Sequence, residues 1–234
     1  VRKGSTILNI YTYQVHGENT KSLKVLELFA GTRSIGRAFE QRGHDVTSID
    51  WDDRFCPSCL KRDVYSVSLD EMLEYDVIWA SPDCTTYSVA SGGLHRYKDP
   101  YTKELKPKTD YAKYCDAENE IFINRLKTYA KKCNGLFWIE NPRGGMRSMP
   151  WMSGIDRYTV TYCQYGDFRM KPTDIWTNCK ETWFKQPCKN GDPCHVSSPR
   201  GSYHGTCSLS RVDRSRIPSL LCDAIVAMSE NYYA

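Results

Sequence analysis

The chain has 234 residues, 40% of them hydrophobic, with 32 basic and 28 acidic side chains and a formal charge of +4. That length supports a substantial core, no apolar run approaches the ~20 residues of a membrane span, and the mild charge permits a polyanionic partner without requiring one. The 11 cysteines are odd in number, scattered and preceded by no charged-then-apolar leader, which predicts a reduced, cytoplasmic protein with no membrane association.

Residues Val1 to Ser22 are polar except Ile7 to Val15, whose alternation suggests a strand or hairpin arm. From Lys24 onward, short apolar runs alternate with helix-length segments, which predicts a mostly parallel α/β sheet covered by helices. Lys24 to Phe29 reads as the first strand and Ser34 to Arg42 as a helix, with Ser34 as its cap and Gly43 as its stop. Asp45 to Ile49, Asp76 to Ala80 and Leu136 to Ile139 read as later strands. Asp110 to Cys133 reads as a helix in which Tyr111, Tyr114, Ile121, Phe122, Leu126 and Tyr129 form a core-facing stripe. Cys179 to Ser210 is rich in Pro, Gly, Cys, Ser and Lys and cannot build a core by itself. Ile217 to Met228 returns to a helical pattern with Pro218 in its first turn. The expected plan is an N-terminal arm over 1–22, a catalytic domain over 23–178, a small recognition segment over 179–212 and a C-terminal helix over 213–234.

The turn Phe29, Ala30, Gly31, Thr32, Arg33 and Ser34 joins the first strand to its helix, where backbone N–H groups can face a polar ligand. The dinucleotide fingerprint G-x-G-x-x-G is absent. Asp50 ends the second strand, where a carboxylate can accept from ribose hydroxyls, and Trp51 beside it can stack on a purine. Asp63 can accept from an adenine amino group. Singly, these are also a turn cap, a core indole and a surface charge. Their order and spacing favour a nucleoside, and adenosine with a polar tail suits S-adenosylmethionine.

Cys84 lies in a Pro-led turn after Val77-Ile78-Trp79-Ala80, a place suited to an attacking thiolate and also to an ordinary core cysteine. Glu140 follows the strand Leu136 to Ile139 and would reach the same sheet edge. The basic, glycine-hinged stretch Ser91 to Lys108 follows the cysteine, and Arg143-Gly144-Gly145-Met146-Arg147 follows the acid. Both read as rims for phosphate contact, against the alternative of solvated surface charge. In the late insertion, Cys188, Cys194, His195, His204 and Cys207 are ligand types whose spacing does not match paired zinc knuckles, so no metal is expected.

Together these segments resemble the cytosine-C5 DNA methyltransferases, particularly the compact forms of bacteria and their phages. The matching segments are Phe29 to Gly31, Asp50-Trp51, Asp63, the Pro-x-Cys turn at Cys84 and Glu140-Asn141. Gln164-Tyr165-Gly166, Lys171 to Asn178 and Arg216-Ile217-Pro218 follow in the family's order. The resemblance implies a Rossmann-like fold, S-adenosylmethionine as methyl donor and double-stranded DNA as partner. It also implies that Cys84 adds to C6 of a flipped cytosine while Glu140 handles a proton at N3, after which C5 accepts the methyl group. Asn141 would orient the strand end, Gln164 and Arg169 would serve catalysis, and Pro82 would lie near the cofactor. Ser88, Arg96, Lys98, Arg143, Arg147, Lys171, Arg200 and Arg211 would contact DNA.

Two departures stand out. Arg33 and Ser34 replace glycines of many relatives, leaving Arg33 to pair with the methionine carboxylate or point to solvent. Asp83 precedes the cysteine where proline is usual, and its charge would raise the thiol pKa unless it points away. A tRNA cytosine methyltransferase and a catalytically silent homologue remain as alternatives.

Overall fold

A computed structural model of the chain describes residues 21–52, 54, 56–197 and 209–234. The expected arm strand at Ile7 to Val15, Arg200, His204 and Cys207 lie outside the described residues, as does the side chain of Arg211. The strands are β1 (Lys24–Leu28), β2 (Asp45–Asp50), β3 (Leu60–Lys61), β4 (Val77–Ala80), β5 (Arg96–Lys98), β6 (Leu105–Pro107), β7 (Leu136–Pro142), β8 (Asp156–Thr161) and β9 (Pro172–Thr177). The helices are α1 (Ser34–Gln41), α2 (Leu69–Met72), α3 (Gly92–His95), α4 (Asp110–Cys133), α5 (Arg211–Ser215) and α6 (Ser219–Tyr232). No helix among the described residues is long and apolar enough to cross a membrane.

The main sheet runs β3-β2-β1-β4-β7-β9-β8. Pairings from β3 through β7 are parallel, and β9 and β8 close the sheet antiparallel. The parallel strands are buried on both faces, which is why they read as continuous apolar runs rather than alternating ones. Leu26, Leu28, Ile78, Ala80, Phe137 and Ile139 face a layer containing α4, whereas Val25, Val77, Trp79, Leu136 and Trp138 face α1 and α6. The parallel register aligns Ala80 with Ile139, so the residues beyond these two strands emerge at one edge.

Local chemistry sets the element ends. Thr109 accepts from Ala112 N at the start of α4, and Asn134 ends that helix in the left-handed conformation at φ 53°. The predicted stripe of α4 is corrected: Phe122, Leu126 and Tyr129 are buried, but Tyr111, Tyr114 and Ile121 are exposed. Ala112, Cys115, Asn119 and Ile123 take the buried positions instead. The large side chains therefore do not all mark the inner face. The cap of α1 is Arg33, not Ser34, with a left-handed backbone at φ 54°. That conformation is easiest for glycine, yet arginine adopts it here.

The expectation of wholly reduced cysteines is corrected at one pair, because Cys56 and Cys59 form a disulfide across a short turn. Thiols separated by three positions on a tight turn lie within bonding reach whatever the state of the other cysteines.

Candidate active site

A cleft of about 1300 Å³ opens over the ends of β1, β4 and β7 and is lined by the Phe29–Ser34 turn, Cys84, Glu140 and Lys171. Parallel-sheet geometry dictates its place, because loops from neighbouring strands meet beyond the strand ends.

On the β1 side, Gly31 turns at φ 50°, and its N–H donates to Asp50 Oδ2 at 2.8 Å. Asp50 Oδ1 accepts from Asp52 N at 2.9 Å. Asp50 therefore shapes the turn with both oxygens, the turn-capping alternative that its sequence position also offered. Trp51 is 61% exposed beside it. Asp63 is exposed and caps the following turn by accepting from Tyr65 N at 3.0 Å. Phe29, Ala30, Gly31, Thr32 and Ser34 line the cleft, as does Pro82. Arg33 is not among the lining residues, and both expected orientations are corrected. Its guanidinium donates to Ser48 and Ser58 at 3.0 and 3.2 Å and pairs with Glu40.

Sequence reasoning missed Glu27. Its buried carboxylate lines the cleft and accepts from Gly36 N at 2.9 Å and Ser48 Oγ at 2.7 Å. Burial pushes its pKa up to about 6, against these hydrogen bonds. A Cβ on Gly36 would stand 2.4 Å from Glu27 Oε2, so glycine is needed there for close approach. A carboxylate inside an apolar strand was the available signal.

On the β4–β7 side, Cys84 opens one turn of helix-like chain, its carbonyl accepting from Tyr87 N and Ser88 N at 3.0 and 2.8 Å. Asp83 lines the cleft beside Cys84 with its carboxylate engaged: Oδ1 accepts from Thr85 N and Oγ1, and Oδ2 accepts from the Tyr111 hydroxyl. Burial, then the Glu140 and Asp83 carboxylates, push the Cys84 thiol up to about 11, while Lys171 pulls it down. Glu140 is 7% exposed, and burial raises its pKa, opposed by Lys171 and by the Tyr162 hydroxyl, which donates at 3.2 Å. Asn141 Nδ2 donates to Pro82 O at 2.8 Å and ties the acid-bearing strand to the cysteine turn. Its Oδ1 is buried with no partner among the described residues.

Several expected contacts fall elsewhere. Lys171 lies inside the cleft, 4.5 Å over the Tyr162 ring, and not on an outer DNA rim. Gln164 donates to Cys194 Sγ at 3.4 Å and does not line the cleft. Arg169 binds Asp167 and the carbonyl of Asp213, fastening the loop before β9 to the segment before α6. Arg96 is 3% exposed and paired with Asp116, so it has no surface to offer a phosphate. Arg147 pairs with fully buried Asp174 while still lining the cleft. Ser88 and Arg143 line the cleft, and Lys98 is exposed on β5. These arginines share one feature: a carboxylate, of Asp116, Asp174 or Asp167, claims the guanidinium.

No family model matches the chain. A curated relative, a probable DNA (cytosine-5)-methyltransferase of Frog virus 3 (isolate Goorha), is 28% identical over 184 residues, covering 74% of this chain and 78% of its own. Over that span the chain is similar to a cytosine-C5 methyltransferase. Solved structures similar to this chain include S. pombe Dnmt2 methyltransferase, at 14% identity and TM-score 0.46 over 69% of this chain and 53% of that one. The Entamoeba histolytica methyltransferase EhMeth is 12% identical, with TM-score 0.48 over 72% and 57% of the two chains. Spodoptera frugiperda DNMT2 is 15% identical, with TM-score 0.44 over 78% and 57%. The chain thus spans a little over half the length of these solved structures.

Proposed function

We propose that this chain is an S-adenosylmethionine-dependent methyltransferase acting on C5 of cytosine in double-stranded DNA. The observation that carries the reading is the convergence of Cys84, Glu140 and Lys171 in one cleft that also contains the Gly31 turn. Its size suits a nucleoside-type ligand and a flipped base together.

The residues fit the methyl donor. The turn at Gly31 presents backbone against an open cleft, Asp50 fixes that backbone, and Trp51 offers a free aromatic face at its edge. When bound, S-adenosylmethionine supplies an electrophilic methyl group. Phe29 to Ser34 and Pro82 hold the donor in this reading, and Asp63 reads the adenine amino group.

The chain's own chemistry begins at Cys84 Sγ, which adds to C6 of an extruded cytosine as a thiolate. Raised by burial, Glu140 retains a proton to share with N3 as charge develops on the ring. Lys171 stabilises negative charge at both groups, and Asn141 keeps the cysteine turn against β7. Departure of the C5 proton and expulsion of Cys84 then restore the aromatic ring.

DNA as substrate is supported by the name of the viral relative and by exposed Arg143, which lines the cleft. Residues 179–212 serve as the target-recognition segment between catalytic residues 23–178 and the C-terminal residues 213–234. Incubation with duplex DNA or matched RNA containing 5-fluorocytosine, followed by denaturing mass measurement, tests the reading. It should trap a DNA adduct that requires the methyl donor and Cys84. An adduct on RNA alone would reassign the substrate, and no adduct on either would overturn the catalytic reading.

A further inference from the structure

Away from the cleft, four metal-type ligands meet. Cys163 lies on the short 3₁₀ turn Tyr162–Tyr165 after β8, while Cys188, Cys194 and His195 belong to the irregular segment after β9. One ligand atom from each lies within 4.8 Å of all the others. Cys163 Sγ is 3.1 Å from Cys188 Sγ and 3.6 Å from Cys194 Sγ. His195 Nδ1 is 3.7 and 3.6 Å from the sulfurs of Cys188 and Cys194.

A tetrahedral zinc ion with bonds of about 2.3 Å to sulfur and about 2.0 Å to nitrogen holds its ligands about 3.5–3.8 Å apart. Three of these four separations fall within that range, and a modest opening of the Cys163–Cys188 pair brings in the fourth. Soft thiolates with one imidazole select zinc over calcium or magnesium, and four protein ligands leave no open position for substrate. The surroundings agree. Gln164 Nε2 donates to Cys194 Sγ at 3.4 Å, the kind of outer contact that steadies a metal-bound thiolate. His195 Nε2 is buried without a partner among the described residues, leaving Nδ1 as the nitrogen aimed at the sulfurs.

We propose that Cys163, Cys188, Cys194 and His195 form a structural zinc site that staples the cysteine-rich segment to the end of β8. Each cysteine ligand releases its thiol proton to solvent as its sulfur bonds the ion, and the imidazole binds in its neutral form. The sequence reading expects no metal because the spacing of Cys188, Cys194, His195, His204 and Cys207 does not match paired knuckles, and it leaves out Cys163, which lies 25 positions before Cys188. The staple has a consequence for the cleft, since Tyr162, next to Cys163, donates to Glu140. It also reinforces an existing dock, in which Cys188 N donates to Thr161 Oγ1 at 3.0 Å and Lys185 N to Tyr165 Oη at 2.9 Å.

The test uses the full chain expressed with zinc and purified without chelator, with metal content measured by mass spectrometry. One zinc per chain is expected, and cobalt substitution should give the visible bands of a tetrahedral thiolate site. Cys194→Ser and His195→Ala should each lose zinc, while Cys133→Ser, at an exposed position outside the cluster, should keep it. Should the ligand variants fail to fold, the unmodified chain still decides. Its thermal midpoint should fall by several degrees on chelation and return with zinc alone. Substoichiometric zinc without cobalt bands overturns the proposal. So does a Cys163–Cys188 disulfide found by non-reducing peptide mass analysis of the same preparation.

Discussion

The two sides of the cleft handle their polar groups in opposite ways. On the β1–β2 side, Asp50, Arg33 and Glu27 are each satisfied by neighbours on the same side, and their effect is to hold backbone in an unusual path. On the β4–β7 side, Cys84 is half-buried with a raised pKa, Glu140 has one long side-chain hydrogen bond, and Asn141 keeps a buried oxygen unpartnered. A binding turn gains its shape by satisfying its side chains. A reacting edge keeps chemical potential by leaving them desolvated and incompletely paired.

The largest expected effect separates the two sides most cleanly. Cys84→Ala should lower methyl transfer by more than about 10⁴-fold while changing unfolding free energy by less than about 1 kcal/mol. Parallel turnover and denaturant measurements check this, and a large stability loss would make Cys84 a packing residue. Glu140→Gln should reduce turnover by about 10²–10⁴-fold yet speed alkylation of Cys84, because the amide removes a carboxylate that raises the thiol pKa. For unmodified protein, alkylation should rise about tenfold per pH unit toward the thiol value near 11. Peptide mass analysis of iodoacetamide-treated protein reads both effects.

On the other side, Asp50→Ala leaves Gly31 N–H and Asp52 N–H without their acceptor and should cost about 1–3 kcal/mol. It should weaken S-adenosylmethionine binding more than it slows single-turnover transfer, as calorimetry and rapid-quench kinetics would reveal. The smallest effect concerns Glu27, whose pKa rises from 4.5 to about 6 on folding. The folded state therefore binds more protons than the unfolded state in that window, so stability falls as pH rises through it, by about 2 kcal/mol in total. Glu27→Gln should flatten that slope between pH 4.5 and 6, as measured by denaturant midpoints across the window. An unchanged slope would place the pH response elsewhere.

Much of the fold was legible because burial on both faces leaves a strong mark. The runs at β1, β4 and β7 and the full extent of α4 could be read from apolar pattern and turn residues. The cysteine, the acid and the glycine turn were legible for a related reason, since each sits where a strand ends and parallel pairing carries such ends to one edge. The arginines were not legible. Arg96, Arg147 and Arg169 look alike as basic residues near functional segments, and their roles depend on Asp116, Asp174 and Asp167.

By itself, then, the sequence determined the apolar runs of the parallel strands, the placing of Cys84 and Glu140 beyond and at two strand ends, and the resemblance they carry. Only the tertiary structure bound Asp83 to Tyr111, drew Lys171 into the cleft and brought Cys163 to Cys188, Cys194 and His195. The reason is physical. Patterns of burial are periodic along the chain and can be read locally, whereas the partner of a charge or a thiol is fixed by distances between segments remote in sequence.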